Sequence, residues 1–174
     1  MLNKYVIFII LFLISVLIGS NIFLSLVVAP VIFSNFDKIT AGSIMQLIFP
    51  YYFKINWILG VVIYTIIGVL SFKDKEIVKS LKWFLISVGM VVILNMAQDR
   101  AIFPMSKSIQ QEYVELVKEN QQKKAQILHS KFSKIHGISS VINLTTMLLE
   151  TFLLYNFLSF LKISRKDTQE GYRG

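Results

Sequence analysis

Cysteine is missing from the 174-residue chain. That absence excludes disulfides, zinc-thiolate centres, iron-sulfur clusters, thioether-linked haem and thiol nucleophiles. Charge is scarce and segregated. Segments 5–33, 55–72, 83–98 and 135–161 span 90 residues and hold one charged side chain, Glu150, whereas the remaining 84 residues hold 27. A hydrocarbon slab imposes such segregation, and a water-facing surface does not tolerate it. With 55% hydrophobic residues and a mean hydropathy of +0.63, a soluble globule is not expected and an integral membrane protein is. No phosphate loop, dinucleotide fingerprint, nucleophile elbow or metalloprotease helix is present. No catalytic residue, metal or cofactor is therefore expected, and an enzyme is not the favoured class.

What is present sets the topology. The net charge of +8 would suggest nucleic acid in a soluble protein, but these lysines flank apolar spans, where they anchor to headgroups. The lipid bilayer is the expected partner, and nucleic acid is not. The first span follows Lys4 like a signal peptide, yet it runs on through Val28 to Phe33 without a small-x-small cleavage pattern, so it stays as an anchor. Its outer end is expected near Pro30. Ile39–Phe53 is too short to span comfortably and is interrupted by Pro50, which reads as an interfacial or re-entrant helix. Phe49, Tyr51, Tyr52, Phe53 and Trp57 belong at the membrane boundary. The short connection carrying Lys73, Lys75, Lys79 and Lys82, and the tail carrying Lys162, Arg165, Lys166 and Arg173, are dense in basic residues. By density, both termini are expected in the cytoplasm of a bacterial inner membrane.

After Pro104, residues Ile109, Tyr113, Leu116 and Val117 recur at helical spacing, Ser108 and Gln111 fit a capping box, and Lys118–Gln126 is almost wholly polar. The spacing predicts helix, a turn or solvated face, and helix again from Ile127. The expected fold is an all-α integral membrane four-helix bundle forming a single domain over residues 1–174. Its spans fall at about 5–33, 55–72, 83–103 and 135–161, with a short interfacial helix after the first and a helical outer loop over about 104–134. No internal repeat stands out.

The last span is the most informative. On a helical wheel His136, Ser139, Ser140, Asn143, Thr146 and Glu150 fall within about 120° of arc. Polar groups in hydrocarbon are costly unless partnered, so such a stripe either lines a path for a small solute, ion or proton or bonds helix to helix. Glu150 is the one acid within a span. Near mid-membrane and without a basic partner, it is expected to be neutral, with Ser15 on the first helix as a hydrogen-bond neighbour at comparable depth and Thr65 a poorer one. Towards the outer ends Asn95, Gln98, Asp99 and Arg100 approach Asn56 and His136. A charged pair beside a histidine is a candidate gate and equally an ordinary helix-end pair. The two histidines, His129 and His136, stand about 10 Å apart on one helix, too far to share one metal ion or haem iron. The candidate polar interior is therefore His136, Ser140, Asn143, Glu150, Asn95, Asp99 and Arg100. Ser15 with Gly19, and Gly60 with Gly68, are candidate points of close helix approach.

Gly19 with Ala29, Pro30 and Phe33, then Phe49, Pro50 and Tyr52, then Asn95 through Pro104, and finally Phe132–Asn143 with His136, Gly137, Ser139 and Asn143, carry a resemblance. In order and pattern the chain resembles the bacterial four-helix membrane domain of unknown function 4149, related to eukaryotic transmembrane protein 205. The resemblance implies four spans and supplies no catalytic residue. More distantly the pattern is similar to copper-resistance membrane proteins and a membrane protoporphyrinogen oxidase. Those use histidines in spans, whereas here the first helix has none. Three functions remain open: a bundle that binds or conducts a small solute or ion, an accessory protein docking a membrane partner or a second copy through its outer loop, and a haem-linked oxidoreductase. The solute itself is not named by the residues.

Overall fold

The computed structural model describes residues 3–72 and 75–171. It is all-α, with no strand among the described residues. In chain order the helices are α1 (Lys4–Phe23), α2 (Ala29–Asn35), α3 (Lys38–Ser71), α4 (Lys75–Ser80), α5 (Lys82–Ala97), α6 (Phe103–Lys118) and α7 (Gln122–Gly171). Four stretches are long and apolar enough to cross a membrane: Lys4–Asn35, Lys38–Leu70, Lys82–Lys118 and Gln122–Lys162. α5 packs against α3 and α7, and α1 packs against the same two, so the crossings form a ring with the first and third on opposite corners.

Two of the four crossings widen into a π turn at the same place in their sequence. Leu24–Val28 joins α1 to α2 and Gln98–Ile102 joins α5 to α6. In each a proline follows two residues after the π turn, Pro30 and Pro104. Proline has no N–H and its ring clashes with the carbonyl four residues back. A wider turn just before it carries the chain past the defect without ending the helix. Each π turn also begins three residues after a buried asparagine, Asn21 and Asn95, both close to fully buried. The arrangement, an asparagine nine residues before a proline, is repeated although the intervening residues differ.

Continuity is the main departure from the expected boundaries. Ile39–Phe53 is helical, but it is the first half of α3, which passes through Pro50 without a break. Proline is tolerated inside membrane helices where neighbours satisfy the freed groups. Asp37 starts α3 as an N-cap, accepting from the Ile39 and Thr40 amides at 3.0 and 3.1 Å. Hydrogen bonding from the Thr40 side chain, and then from these amides, holds its carboxyl below its ordinary value. In the long loop, α6 continues the third crossing, and the polar stretch makes a turn at Glu119–Gln121, where Asn120 takes a positive φ of 58°. Asparagine is among the few residues that adopt this readily. α7 then runs from the loop into the fourth crossing. Of the basic tail, Arg165 and Lys166 lie on the α7 backbone while their side chains, like Arg173, Lys73 and Lys75, lie outside what is described. Between α3 and α5, Lys79 pairs with Glu76 at 2.7 Å, which raises the lysine above its ordinary value.

The half of the bundle holding the helix ends at Lys4, Ser71 and Lys82 is packed solid. Ile10, Ile14, Leu17, Ile63, Phe84 and Leu153 are buried there, and Phe84 meets Phe157 with ring centroids 5.4 Å apart. Gly60 lets this packing close, because a Cβ there would lie 2.6 Å from Val92 Cγ2. An added Cβ at Gly19 or at Gly68, by contrast, would meet nothing within 4 Å, and Ser15 is exposed, so of the four candidate positions Gly60 alone marks a close approach.

Candidate binding cavity and its polar floor

The other half, which carries the turns at 36–37 and 119–121, has a smaller packed cluster of Leu24, Met45, Tyr52 and Phe53 and a hollow beside it. A cavity of about 710 Å³ lies between the first crossing, α3, α6 and α7. α1 packs against α7, but beyond the π turn α2 packs against α3. On the α7 face so uncovered, His136, Ser140 and Leu144 are exposed and border the cavity. Its walls are mostly apolar, with Phe33, Phe49, Phe103, Phe132, Met45 and Met147 among them. Gly42 leaves room on one wall for Gln110, whose amide oxygen accepts from Gln46 at 2.9 Å.

Polar side chains from all four crossings close the cavity at mid-height. Tyr52 donates its hydroxyl to Asn143 Oδ1 at 3.3 Å, and Asn143 Nδ2 donates to Ser25 Oγ at 3.0 Å. Gln98 and Ser139 bond twice: the amide donates to the Ser139 carbonyl, and the serine hydroxyl returns to Gln98 Oε1, both at 2.9 Å. Just below, the Ser20 hydroxyl has two acceptors in reach, the Leu17 carbonyl at 2.9 Å and Asn56 Oδ1 at 3.1 Å, and Asn56 Nδ2 donates to the Tyr52 carbonyl at 2.9 Å. Hydrogen bonds between helices at this depth contribute about 0.6 kcal/mol each on average, up to about 1.7.

Glu150 lies beneath this floor, fully buried, and its partner is Asn21, which donates Nδ2 to Glu150 Oε2 at 3.2 Å. Ser25 reaches Asn21 Oδ1 at 3.4 Å, tying the pair to the floor. Ser15, the expected neighbour, instead bonds the Leu11 carbonyl at 2.8 Å, and Thr65 bonds the Val61 carbonyl at 2.8 Å. Counting inward from the apolar segment ends puts Ser15 level with Glu150. α7 continues as helix past Leu161, so the true level of Glu150 corresponds to a residue six positions further along α1. The other carboxylate oxygen, Oε1, is buried and has no hydrogen-bond partner. An orphaned carboxylate oxygen is costly in this setting.

The candidate residues therefore separate. Asn143 forms the floor, His136 and Ser140 line the wall, and Glu150 lies below. Asn95 is buried and bonds its own helix at the Val91 carbonyl, 3.0 Å away. Asp99 and Arg100 are placed elsewhere: Asp99 accepts from Trp57 Nε1 at 3.1 Å and from Arg100 Nε at 3.4 Å. His136 stacks on Phe132 with centroids 6.1 Å apart, and His129 meets Tyr113 at 5.8 Å. Asn21, Ser25 and Tyr52 were missed. Asn21 was readable as the one amide side chain within the first span, by the same cost argument that singled out Glu150.

An uncharacterised protein of Aquifex aeolicus (strain VF5) is 29% identical over 138 residues, which cover 79% of this chain and 85% of that protein. No solved structure matches the chain. The matching family model spans residues 12–115, from within α1 to within α6, and by that match the chain belongs to the family described as a domain of unknown function, DUF4149.

Proposed function

We propose that this protein holds a small, largely apolar solute of the bilayer in the loop-half cavity, and that it binds the solute instead of conducting it. The observation that carries this reading is the junction between the two halves. A hollow of about 710 Å³, within the roughly 300–1,000 Å³ typical of small-molecule sites, ends on a bonded floor, and below it every crossing contributes to a close-packed apolar core. A solute has room to enter and no wet path to leave at the far end. Entry from the membrane is supported by the exposed α7 face beside α2.

The bundle is further proposed to reside in a bacterial inner membrane as a single domain with both termini cytoplasmic, in keeping with its basic connection and tail. Kinship with eukaryotic transmembrane protein 205 belongs to the same proposal. Docking of a partner or second copy through the outer loop has less support, because α6 folds back along α7 and uses Tyr113 against His129 within the chain.

Photolabelling tests the pocket. A diazirine-bearing hexadecanol in proteoliposomes should label Met45 and Met147 on the cavity wall as well as lipid-facing Leu148. Ser140→Trp should remove the label from the two methionines and leave it at Leu148, while Thr145→Trp, which lies off the cavity, should change neither. Label confined to Leu148 in the unaltered protein would overturn the reading.

A further inference from the structure

The cavity's charge and shape carry the reading one step further, to the class of solute. We propose that the occupant is a single-chain anionic amphiphile, one aliphatic chain bearing a carboxylate or phosphate head. This rests on the binding reading above.

The first observation is electrostatic. Lys38 on α3 and Lys107 on α6 border the cavity, as do His129 and His136 on α7, and no aspartate or glutamate is among its lining residues. The nearest acid in sequence, Asp37, directs its carboxylate to the Ile39 and Thr40 amides. Neither lysine is in an ion pair among the described residues. Two ammonium groups on facing helices beside an apolar hollow favour an anion at its loop end and disfavour a cation.

Shape is the second observation. The lining runs along α3 from Lys38 to Phe53 and along α7 from His129 to Met147, which at 1.5 Å per residue is roughly 23–27 Å. A volume of about 710 Å³ spread over that length makes the hollow long and narrow, a shape that suits one extended aliphatic chain laid along it.

Binding of radiolabelled hexadecanoate to the full chain in phosphatidylcholine nanodiscs, corrected for empty nanodiscs, tests this directly. Hexadecyl phosphate should compete, whereas hexadecyltrimethylammonium should compete at least about tenfold more weakly, as expected when a charge-assisted contact is replaced by repulsion. The double substitution Lys38→Gln with Lys107→Gln should weaken hexadecanoate by about tenfold or more and leave labelled hexadecanol unchanged. Equal competition by the cationic amphiphile, or no effect of the double substitution, would overturn the anion assignment. Hexadecanol binding that Ser140→Trp removes would meanwhile keep the pocket itself. If neither amphiphile binds above empty nanodiscs, both the assignment and the pocket fall together. Circular dichroism and elution volume check that the lysine variants are folded, and both exposed sites suit the change.

Discussion

The half of the bundle that holds the chain ends and the half that holds the cavity are built from the same four crossings, yet one is packed throughout and the other divides its interior between a smaller cluster around Met45 and Phe53 and a hollow. The difference comes from where the backbone is regular. Through Ile10, Ile14, Ile63, Phe84, Val88 and Leu153 the helices are undisturbed and side chains interlock. Above Asn21 and Asn95 two diagonal crossings widen into π turns and pass a proline. α3 passes Pro50 in the same half. Helices that change direction or winding cannot keep the spacing that close packing needs. The polar belt of Ser25, Tyr52, Gln98, Ser139 and Asn143 sits where the two regimes meet. It satisfies groups that the hollow side would otherwise leave facing hydrocarbon.

That contrast is open to attack from both sides. The largest effect belongs to the solid half: Leu153→Ala should destabilise by about 2–4 kcal/mol through the void it leaves, and Leu144→Ala on the exposed cavity wall by less than about 0.5 kcal/mol. Equilibrium unfolding in mixed micelles checks both, and equal losses would erase the distinction. In a membrane the relevant loss is packing, since lipid is as apolar as leucine.

Next in size is the boundary. Asn21→Ala removes the partner of Glu150 Oε2 and should cost about 1–3 kcal/mol, whereas Glu150→Gln, which keeps a donor and an acceptor, should cost under about 1 kcal/mol in the same assay. A Glu150→Gln protein less stable than Asn21→Ala would mean that the carboxylate charge is what the site needs. Smallest is the loop-half helix start. Asp37 caps α3 with a carboxyl held below its ordinary value. Its folded state thus prefers the charged form, and its contribution is complete above the unfolded pKa and is lost as pH falls through the lower folded one. Amide exchange at Ile39 and Thr40, measured relative to Asp37→Asn, should show protection dropping only below about pH 4, the ordinary aspartate range. A loss already present at neutral pH would contradict the cap.

Much of this was readable from residues. One charge in 90 residues is enough to place four crossings, because hydrocarbon filters charge without regard to detail. The cost of polar groups in lipid brought out Asn143 and Glu150 for the same reason. Other features depend on registry between helices. Pro50 looked like a boundary because proline is weighed locally, while its tolerance depends on neighbours. Ser15 was matched to Glu150 by counting from chain ends, and the continuation of α7 past the apolar segment shifts that register by almost two turns. Asp99 and Arg100 shared a depth with His136 in the count, but helix rotation turns Asp99 towards Trp57.

The bundle opens from the loop side down to the level of Asn143 and Met147 and is closed below it. The chain has no native cysteine, so single cysteines report without background. In proteoliposomes, Ser140→Cys and Asn143→Cys should react with methanethiosulfonate ethylsulfonate, a small anion, and be shielded by added hexadecanoate, while Leu153→Cys and Thr146→Cys remain unmodified. Equal modification at 143 and 153 would show a water path through the core and contradict the account.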